Sequence, residues 1–168
     1  MPTPRTILKG AESNTHRGIA AQLALGLLKT AVPRYSEGKM TYAQFMAALC
    51  VWREARGEES AAQAGVAWSI INRTSKSAWW NGNKGGDYVA VVMFPAQYSS
   101  MTILKDPNTI KFPASNDPVW PAICNLFTNT PQDPTGGATS YYSTDIPEPS
   151  WAAEMTFTVQ IGAFRFFK

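Results

Sequence analysis

Residues 41–74 read TYAQFMAALCVWREARGEESAAQAGVAWSIINRT and predict two consecutive helices joined by a short turn. Thr41 and Gln44 have the spacing of a capping box, in which a hydroxyl and an amide satisfy free N–H groups at the start of a helix. Apolar side chains then recur at helical spacing, at Phe45, Leu49 and Trp52. The pattern ends at Gly57, so the first helix is expected to end before it.

A second helix is predicted directly after this interruption. Ser60 and Gln63 repeat the capping-box spacing. Apolar residues follow at helical spacing, at Val66, Ala67, Ile70 and Ile71. Gly65 lies inside this pattern, where glycine costs about 1 kcal/mol relative to alanine. It indicates that another backbone packs closely there, and the two helices are expected to meet around residues 54–59.

The remaining segments predict an α+β domain that is mainly helical. Asp117 and Pro118 have the residue types of a helix cap and a first helical residue, so a short helix is expected there. Residues 156–161 alternate polar and apolar side chains, with Phe157, Val159 and Ile161 on one face, which is the period of a β-strand. Residues 138–143 are the expected strand partner. We therefore predict a small antiparallel β element near the C-terminus of a domain that covers residues 41–168.

Residues 1–40 are predicted to form an N-terminal extension with one helix. Ser13 or Asn14 can cap this helix, whose apolar positions are Ile19, Leu23, Leu27 and Leu28. Gln22 and Lys29 interrupt the apolar stretch, which falls short of the roughly 20 residues of a membrane span, so no stable membrane insertion is expected. No basic stretch leads directly into an apolar run with a small-residue cleavage site, which predicts synthesis without a cleaved signal.

The composition excludes several classes of function. A chain of 168 residues with 45% hydrophobic and 16% charged residues fits one compact core. The net charge of +3 is mild, and no basic run resembles a nucleic-acid-binding stripe. His16 is the only histidine, so the usual zinc sites and a Ser-His-Asp triad lack their ligands or base. Cys50 and Cys124 are expected to be buried thiols.

Acid–base chemistry in this chain must therefore rest on carboxylates, tyrosines or lysines. Glu54 follows the apolar stripe of the first helix, at its predicted end. A carboxyl group partly desolvated beside an indole has a raised pKa and can hold a proton at neutral pH. The alternative is an exposed or ion-paired glutamate between Arg53 and Arg56. Glu58 would share a helix face with Glu54 only if the helix continued, and otherwise it suits the start of the next helix.

Five motifs follow one another along residues 46–167. They are EARGE at 54–58 followed by IINR at 70–73, PAQYS at 95–99, DPTGGA at 133–138 with two tyrosines at 141–142, PSW at 149–151, and IG at 161–162. Together they resemble the spore-cortex-lytic type of bacterial and phage cell wall hydrolases. One such motif is weak evidence, whereas five in order are strong.

The resemblance implies a lysozyme-like, mainly helical catalytic domain at residues 41–168 that acts on the glycan strands of peptidoglycan, with no metal or organic cofactor. The family's essential acid is the first Glu of EARGE, which maps onto Glu54. The implied substrate-binding residues are Glu58, Gln97, Tyr98, Tyr141 and Tyr142. Relatives are thought to be lytic transglycosylases, which need one acid because the 6-hydroxyl of N-acetylmuramic acid replaces water and forms a 1,6-anhydro end.

Four further positions are interpreted as structural or as departures from the family. Asn72 and Arg73 match the motifs, but an arginine at a helix C-terminus can simply bind the last carbonyls. Asp133 is expected to cap a turn. Phe164 stands where the family often has a histidine, so any binding by that histidine is lost in this chain.

Two other functions fit the same residues. A hydrolysing muramidase would need Glu58, Asp133 or Asp145 to activate water. A noncatalytic peptidoglycan-binding or virion protein would keep the fold without the activity. In each case the expected partner is the glycan strand, bound by a monomer that has no nucleic-acid partner. A phage endolysin, held in the host cytoplasm until its release to the cell wall, fits the predicted lack of a cleaved signal.

Overall fold

A computed structural model describes residues 40–76, 78–82 and 85–168. Its helices are α1 (Tyr42–Ala55), α2 (Ser60–Thr74), α3 (Tyr88–Val92), α4 (Ser99–Thr102) and α5 (Trp120–Thr128). Its strands are β1 (Ser140–Ser143), β2 (Phe157–Ile161) and β3 (Phe164–Phe167), and two 3-10 turns cover Trp79–Asn81 and Ser150–Glu154. None of the helices in the described part has the length and apolar character needed to cross a bilayer. The helix predicted within residues 1–40 lies outside the described residues, so that extension stays a prediction.

The capping box at the start of α1 is confirmed. Gln44 donates its backbone N–H to Thr41 Oγ1 at 3.2 Å, and Thr41 donates its own N–H to Gln44 Oε1 at 2.8 Å. The amide of Gln44 also donates to the Phe127 carbonyl at 2.8 Å. Because Phe127 lies in α5, one side chain both starts α1 and fixes α5 against it.

The capping box predicted at Ser60 is wrong. Glu59 is the N-cap residue of α2, and its side chain makes no cap hydrogen bond. Ser60 is already helical, and the Gln63 amide instead donates to the Glu58 carbonyl at 2.9 Å. The glutamine therefore stabilises the turn between α1 and α2 rather than the free N–H groups of α2.

Helix α5 begins at Trp120, two residues later than the sequence predicted. Asp117 still acts as its cap, because Asp117 Oδ1 accepts from the backbone N–H groups of Val119 and Trp120 at 2.9 and 3.0 Å. The carboxylate reaches the helix start from outside the first turn. The capping role predicted for Asp117 is therefore confirmed, whereas the predicted start of α5 at Pro118 is wrong.

The three strands form an antiparallel sheet in the order β1-β3-β2. The predicted pairing of residues 138–143 with residues 156–161 is wrong, because β3 lies between these two strands. A two-residue turn joins β2 to β3, with Gly162 at a φ of 55° that suits a tight hairpin. A bulge between Phe157 and Val159 breaks the alternation predicted for β2.

Phe166 in β3 joins the sheet to the helices. Its ring is fully buried on Gly65 of α2, where an added Cβ would lie 2.5 Å from Phe166 Cζ. The sequence placed a close approach at Gly65, and the partner is this aromatic ring rather than a backbone. The opposite face of the sheet has a second small core around Tyr142, Ala152 and Phe167. The sheet is therefore apolar on both faces.

The two cysteines are buried free thiols, as predicted. Burial raises the pKa of Cys124 to about 12. Burial also raises the pKa of Cys50 well above its ordinary value, and the nearby Glu54 carboxylate raises it further. Both side chains therefore act as small apolar residues of the core.

We expect Gly65→Ala to destabilise the fold. Alanine favours a helix by about 1 kcal/mol over glycine, but the new methyl group overlaps the Phe166 ring, and overpacking of this kind costs about 1 to 3 kcal/mol. Urea unfolding measures the net change. Gly57→Ala is the matched control, because nothing lies within 4 Å of its Cβ position. A Gly65→Ala protein more stable than the wild type would contradict this packing.

Candidate active site

Glu54 lies in the last turn of α1, with its carboxylate between two segments that are distant in sequence. Its Oε1 accepts a short hydrogen bond from Ser100 Oγ in α4. Its Oε2 lies 3.5 Å from the hydroxyl of Tyr141 in β1. The fold therefore brings together one carboxyl group and two hydroxyl groups from three different elements.

The pKa of Glu54 is raised above its ordinary value. Burial is the main cause, and the negative charge of Asp106 adds to it. The hydrogen bonds from Ser100 and Tyr141 lower the pKa and offset part of this effect. Glu54 consequently keeps its proton to a higher pH than an exposed glutamate does.

The group expected to desolvate Glu54 is not the neighbouring indole. Trp52 precedes Glu54 by two helical positions, which places it on another side of α1, and its Nε1 donates to Asp117 Oδ2 at 3.0 Å. Arg53 and Arg56 direct their guanidinium groups to other acceptors. The alternative of an exposed or ion-paired Glu54 therefore does not describe this structure.

Arg53 holds α4 beside Glu54. This buried arginine donates from Nη1 to the Ser100 carbonyl at 2.9 Å and from Nε to the Lys111 carbonyl at 3.0 Å. Its guanidinium also lies 4.8 Å from the centre of the Phe112 ring. Ser100 is thus fixed at both ends, with its carbonyl on Arg53 and its hydroxyl on Glu54.

Ser100 is the site residue that the sequence reasoning missed. It is 2% exposed and lies one residue beyond the PAQYS motif. The preceding Ser99 faces a different carboxylate and donates to Asp106 Oδ2 at 2.6 Å. The sequence could not show which of the two adjacent serines contacts Glu54. Only the packing of α4 on α1 shows that it is Ser100.

The two adjacent tyrosines of β1 face opposite sides of the sheet, as neighbouring strand residues must. Tyr141 faces Glu54, and the edge of its ring meets Phe164 with centroids 5.3 Å apart. Tyr142 is 7% exposed, and its hydroxyl donates to Glu148 Oε2 at 2.9 Å. The structure therefore brings the Tyr141 hydroxyl to Glu54 and places the Tyr142 hydroxyl at Glu148 instead.

Gln97 and Tyr98 both contact the guanidinium of Arg73. Arg73 Nη1 donates to Gln97 Oε1 at 3.1 Å, and the Arg73 guanidinium lies 5.4 Å from the centre of the Tyr98 ring. Tyr98 is 3% exposed, and burial raises its pKa to about 12. Gln97 is partly exposed, whereas Tyr98 supports the site from within the core.

Asn72, Arg73 and Asp133 join α2 to the segment that precedes β1. Arg73 Nε donates to the Thr139 carbonyl, and Asn72 Nδ2 donates to Asp133 Oδ2 at 3.1 Å and to the Ala138 carbonyl at 3.0 Å. Burial raises the pKa of Asp133, but hydrogen bonds from Thr135, Asn72 and Gly137 outweigh it, so the net shift is downward. This network fits the structural roles expected for these residues.

The other acidic candidates lie in different settings. Glu58 is in the turn after α1, where its backbone N–H donates to the Ala55 carbonyl at 3.0 Å, so it does not continue the helix face of Glu54. Asp145 is exposed in the turn after β1 and accepts from Ser143 Oγ at 3.1 Å. Among residues 40–76, 78–82 and 85–168, no three His, Cys, Asp or Glu side chains cluster closely enough to hold a metal ion.

Comparison with known proteins identifies the family. The family model described as Cell Wall Hydrolase matches residues 57–167. The chain belongs to the cell wall hydrolase family. It is accordingly a peptidoglycan-cleaving enzyme, as the sequence motifs predicted. No curated protein sequence matches the chain.

Two solved structures are similar to this cell wall hydrolase. One is the catalytic domain of the germination-specific lytic transglycosylase SleB from Bacillus anthracis, with 25% identity and a TM-score of 0.58, covering 79% of this chain and 98% of that one. The other is the catalytic domain of the Bacillus cereus SleB protein, with 25% identity and a TM-score of 0.55, covering 75% of this chain and 88% of that one. The predicted mainly helical, lysozyme-like fold with a small antiparallel sheet is confirmed.

We expect Ser100→Ala to raise the pKa of Glu54 further. A hydroxyl that donates to a carboxylate favours its charged form, so its removal favours the protonated form. Carboxyl carbon NMR titration of Glu54 measures the change. Ser99→Ala is the matched control in the same helix, because Ser99 donates to Asp106. A pKa of Glu54 that falls or does not move in Ser100→Ala would contradict the hydrogen bond.

We expect Glu54→Gln to stabilise the fold at neutral pH. Folded Glu54 keeps its proton at a pH where the unfolded chain has lost it, so a rising pH in that range favours the unfolded state. Glutamine has the shape of the protonated acid and cannot ionise. The gain should disappear below about pH 4, where both states of the wild type are protonated.

Urea unfolding at a series of pH values tests this expectation. Glu58→Gln is the control for the loss of one negative charge in the same part of the chain. A stability difference between Glu54→Gln and the wild type that stays constant with pH would show that Glu54 ionises as freely in the folded protein as in the unfolded chain.

Proposed function

We propose that the chain is a lytic transglycosylase that cleaves the bond between N-acetylmuramic acid and N-acetylglucosamine, with Glu54 as its acid. The observation that carries this proposal is a single partly buried carboxyl group with a raised pKa, held by two hydroxyl groups. The similarity to the lytic transglycosylase SleB supports the same reaction.

In the first step, Glu54 protonates the oxygen of the glycosidic bond. Because Ser100 donates to Oε1, the proton of the neutral acid belongs on Oε2, the oxygen near Tyr141. The bond from that oxygen to C1 of N-acetylmuramic acid then breaks, and N-acetylglucosamine leaves with a free 4-hydroxyl. Positive charge develops on the muramic acid ring beside the newly formed Glu54 carboxylate.

In the second step, the same carboxylate acts as a base. The 6-hydroxyl of the muramic acid attacks its own C1, and its proton passes to Glu54, which restores the acid. The product ends in a 1,6-anhydro sugar, and no water is consumed. Positioned proton transfer of this kind contributes about 10²- to 10⁴-fold to a rate.

The reaction needs one carboxylate, and Glu54 is the one that Ser100 and Tyr141 hold. Asp106, whose charge acts on Glu54, is engaged by the Ser99 hydroxyl at 2.6 Å and the Asn108 N–H at 2.8 Å. A hydrolysing muramidase needs a second carboxylate to activate water or to act as nucleophile. Asp133 is engaged by hydrogen bonds in its turn, while Glu58 and Asp145 lie in turns outside the Ser100–Tyr141 pair. These placements favour the transglycosylase over the muramidase.

We assign positioning roles to Ser100 and Tyr141, because both donate to Glu54 rather than to a substrate. Gln97 is our candidate for substrate binding. Arg73 donates to the amide oxygen of Gln97, so the NH₂ group of Gln97 points away from Arg73. This NH₂ group can donate to the carbonyl of an N-acetyl group. The burial of Tyr98 and Tyr142 argues against contacts with a sugar.

We also propose that the enzyme acts as a monomer, since Glu54, Ser100 and Tyr141 all come from one chain. Sedimentation analysis tests the oligomeric state. The residence of the protein in a host cytoplasm before lysis, as for an endolysin, stays a prediction from the sequence, as does the absence of stable membrane insertion.

Digestion of purified peptidoglycan by the wild type and by Glu54→Gln tests the reaction. Mass spectrometry of the released fragments should show 1,6-anhydro ends from the wild type and a loss of about 10²- to 10⁴-fold in their rate of release by the variant. Glu154→Gln is the control, because Glu154 is exposed at the end of the 3-10 turn Ser150–Glu154. Reducing ends, one water heavier, would establish a muramidase, and full activity of Glu54→Gln would remove Glu54 from the mechanism.

A further inference from the structure

Trp79 presents most of its indole to solvent. It is 61% exposed and is the first residue of the 3-10 turn Trp79–Asn81 that follows α2. An indole is a large apolar surface that normally contributes to stability by burial. A flat and open indole is also a surface on which the C–H face of a sugar ring can stack.

The turn that carries Trp79 is firmly held. Asn81 is 2% exposed, accepts from the Ala78 N–H at 3.1 Å and donates to the Lys76 carbonyl at 2.9 Å. The Trp79 ring rests against Trp80, with centroids 5.8 Å apart. Because the turn is held by these bonds and the indole packs against Trp80, less ordering entropy is lost when a ligand binds on it.

A short chain of contacts connects this turn to the catalytic region. Trp80 Nε1 donates to the Arg73 carbonyl at 3.2 Å, and the Arg73 guanidinium lies 5.8 Å from the centre of the Trp80 ring. The same guanidinium holds Gln97, which lies three residues before Ser100. Trp79 is therefore connected through Trp80 and Arg73 to Gln97, our candidate for substrate binding.

The other exposed large apolar residues of the described chain lack either an open flat ring or a connection to the catalytic region. Several are aliphatic or sulfur-containing and offer no flat ring: Met93, Ile103, Leu104, Ile110 and Ile146. Phe157 is aromatic, but the Arg165 guanidinium lies over its ring at 4.9 Å. Tyr42 is at the first residue of α1, about 18 Å along the helix from Glu54.

We propose that Trp79 is a stacking platform for an outer sugar ring of the glycan strand, beyond the two sugars whose bond is cleaved. The proposal rests on the proposed function and extends the substrate site past Gln97. It predicts that the enzyme distinguishes long strands from short fragments, because only a long strand reaches both Glu54 and Trp79.

Kinetics of Trp79→Ala on two substrates test the platform. With long glycan strands freed of peptides, we expect KM to rise about 3- to 10-fold while kcat is kept, the range for the loss of one aromatic stacking contact. With the shortest fragment that is cleaved, KM should not change. The KM of Trp79→Phe for long strands should stay close to that of the wild type, since phenylalanine retains a flat ring.

Tyr42→Ala is the matched control, because Tyr42 is an equally exposed aromatic residue far from Glu54. An equal effect of Trp79→Ala on long and short substrates, no effect on either, or the same effect from Tyr42→Ala would overturn the platform. Thermal unfolding of each variant shows whether a change in folding is the cause, and Trp79→Phe supplies the readout if alanine disturbs the turn.

Binding measured without cleavage separates this inference from the proposed reaction. In a Glu54→Gln background, Trp79→Ala should weaken the binding of long glycan strands by the same factor as it raises KM. Retained cleavage by Glu54→Gln would refute the proposed function alone. Unchanged binding by the double variant would refute the platform alone.

Discussion

The contact between the Phe166 ring and Gly65 sets the relation between the sheet and the helices. Gly65 lacks a side chain, so the ring lies directly on α2. Phe166 is paired across the sheet with Tyr141, the residue that faces Glu54. A change in the depth of this one ring would therefore move the Tyr141 hydroxyl relative to the carboxylate, although neither Gly65 nor Phe166 touches Glu54.

A second set of contacts fixes the site from the other side. Arg53, next to Glu54 in sequence, binds the backbone of Ser100, and Ser100 binds Glu54. The acid is thus held between a strand that depends on α2 and a short helix that depends on α1. Its raised pKa follows from being enclosed on both sides, and the charged form of the same group lowers the stability of the fold at neutral pH.

The sequence was sufficient for the elements whose signals are local. The capped start of α1 and the glycine under close packing were both identified from neighbouring residues. It was not sufficient where a contact spans many residues. Ser100 could not be distinguished from Ser99 without the packing of α4 on α1. The position of β3 between β1 and β2 could not be predicted from periodicity alone. Tyr142 was assigned with Tyr141 although strand alternation separates them.

The sheet order has a consequence for the synthesis of the enzyme. β1, which carries Tyr141, pairs with β3 at the edge of the described sheet, and β3 comprises residues 164–167. Since chains emerge from the ribosome in sequence order, Glu54 and Ser100 are made well before the strand that holds Tyr141 in place. A nascent chain thus contains the acid before it contains a complete site, and the capacity to cut a cell wall arrives only after β3 has been translated.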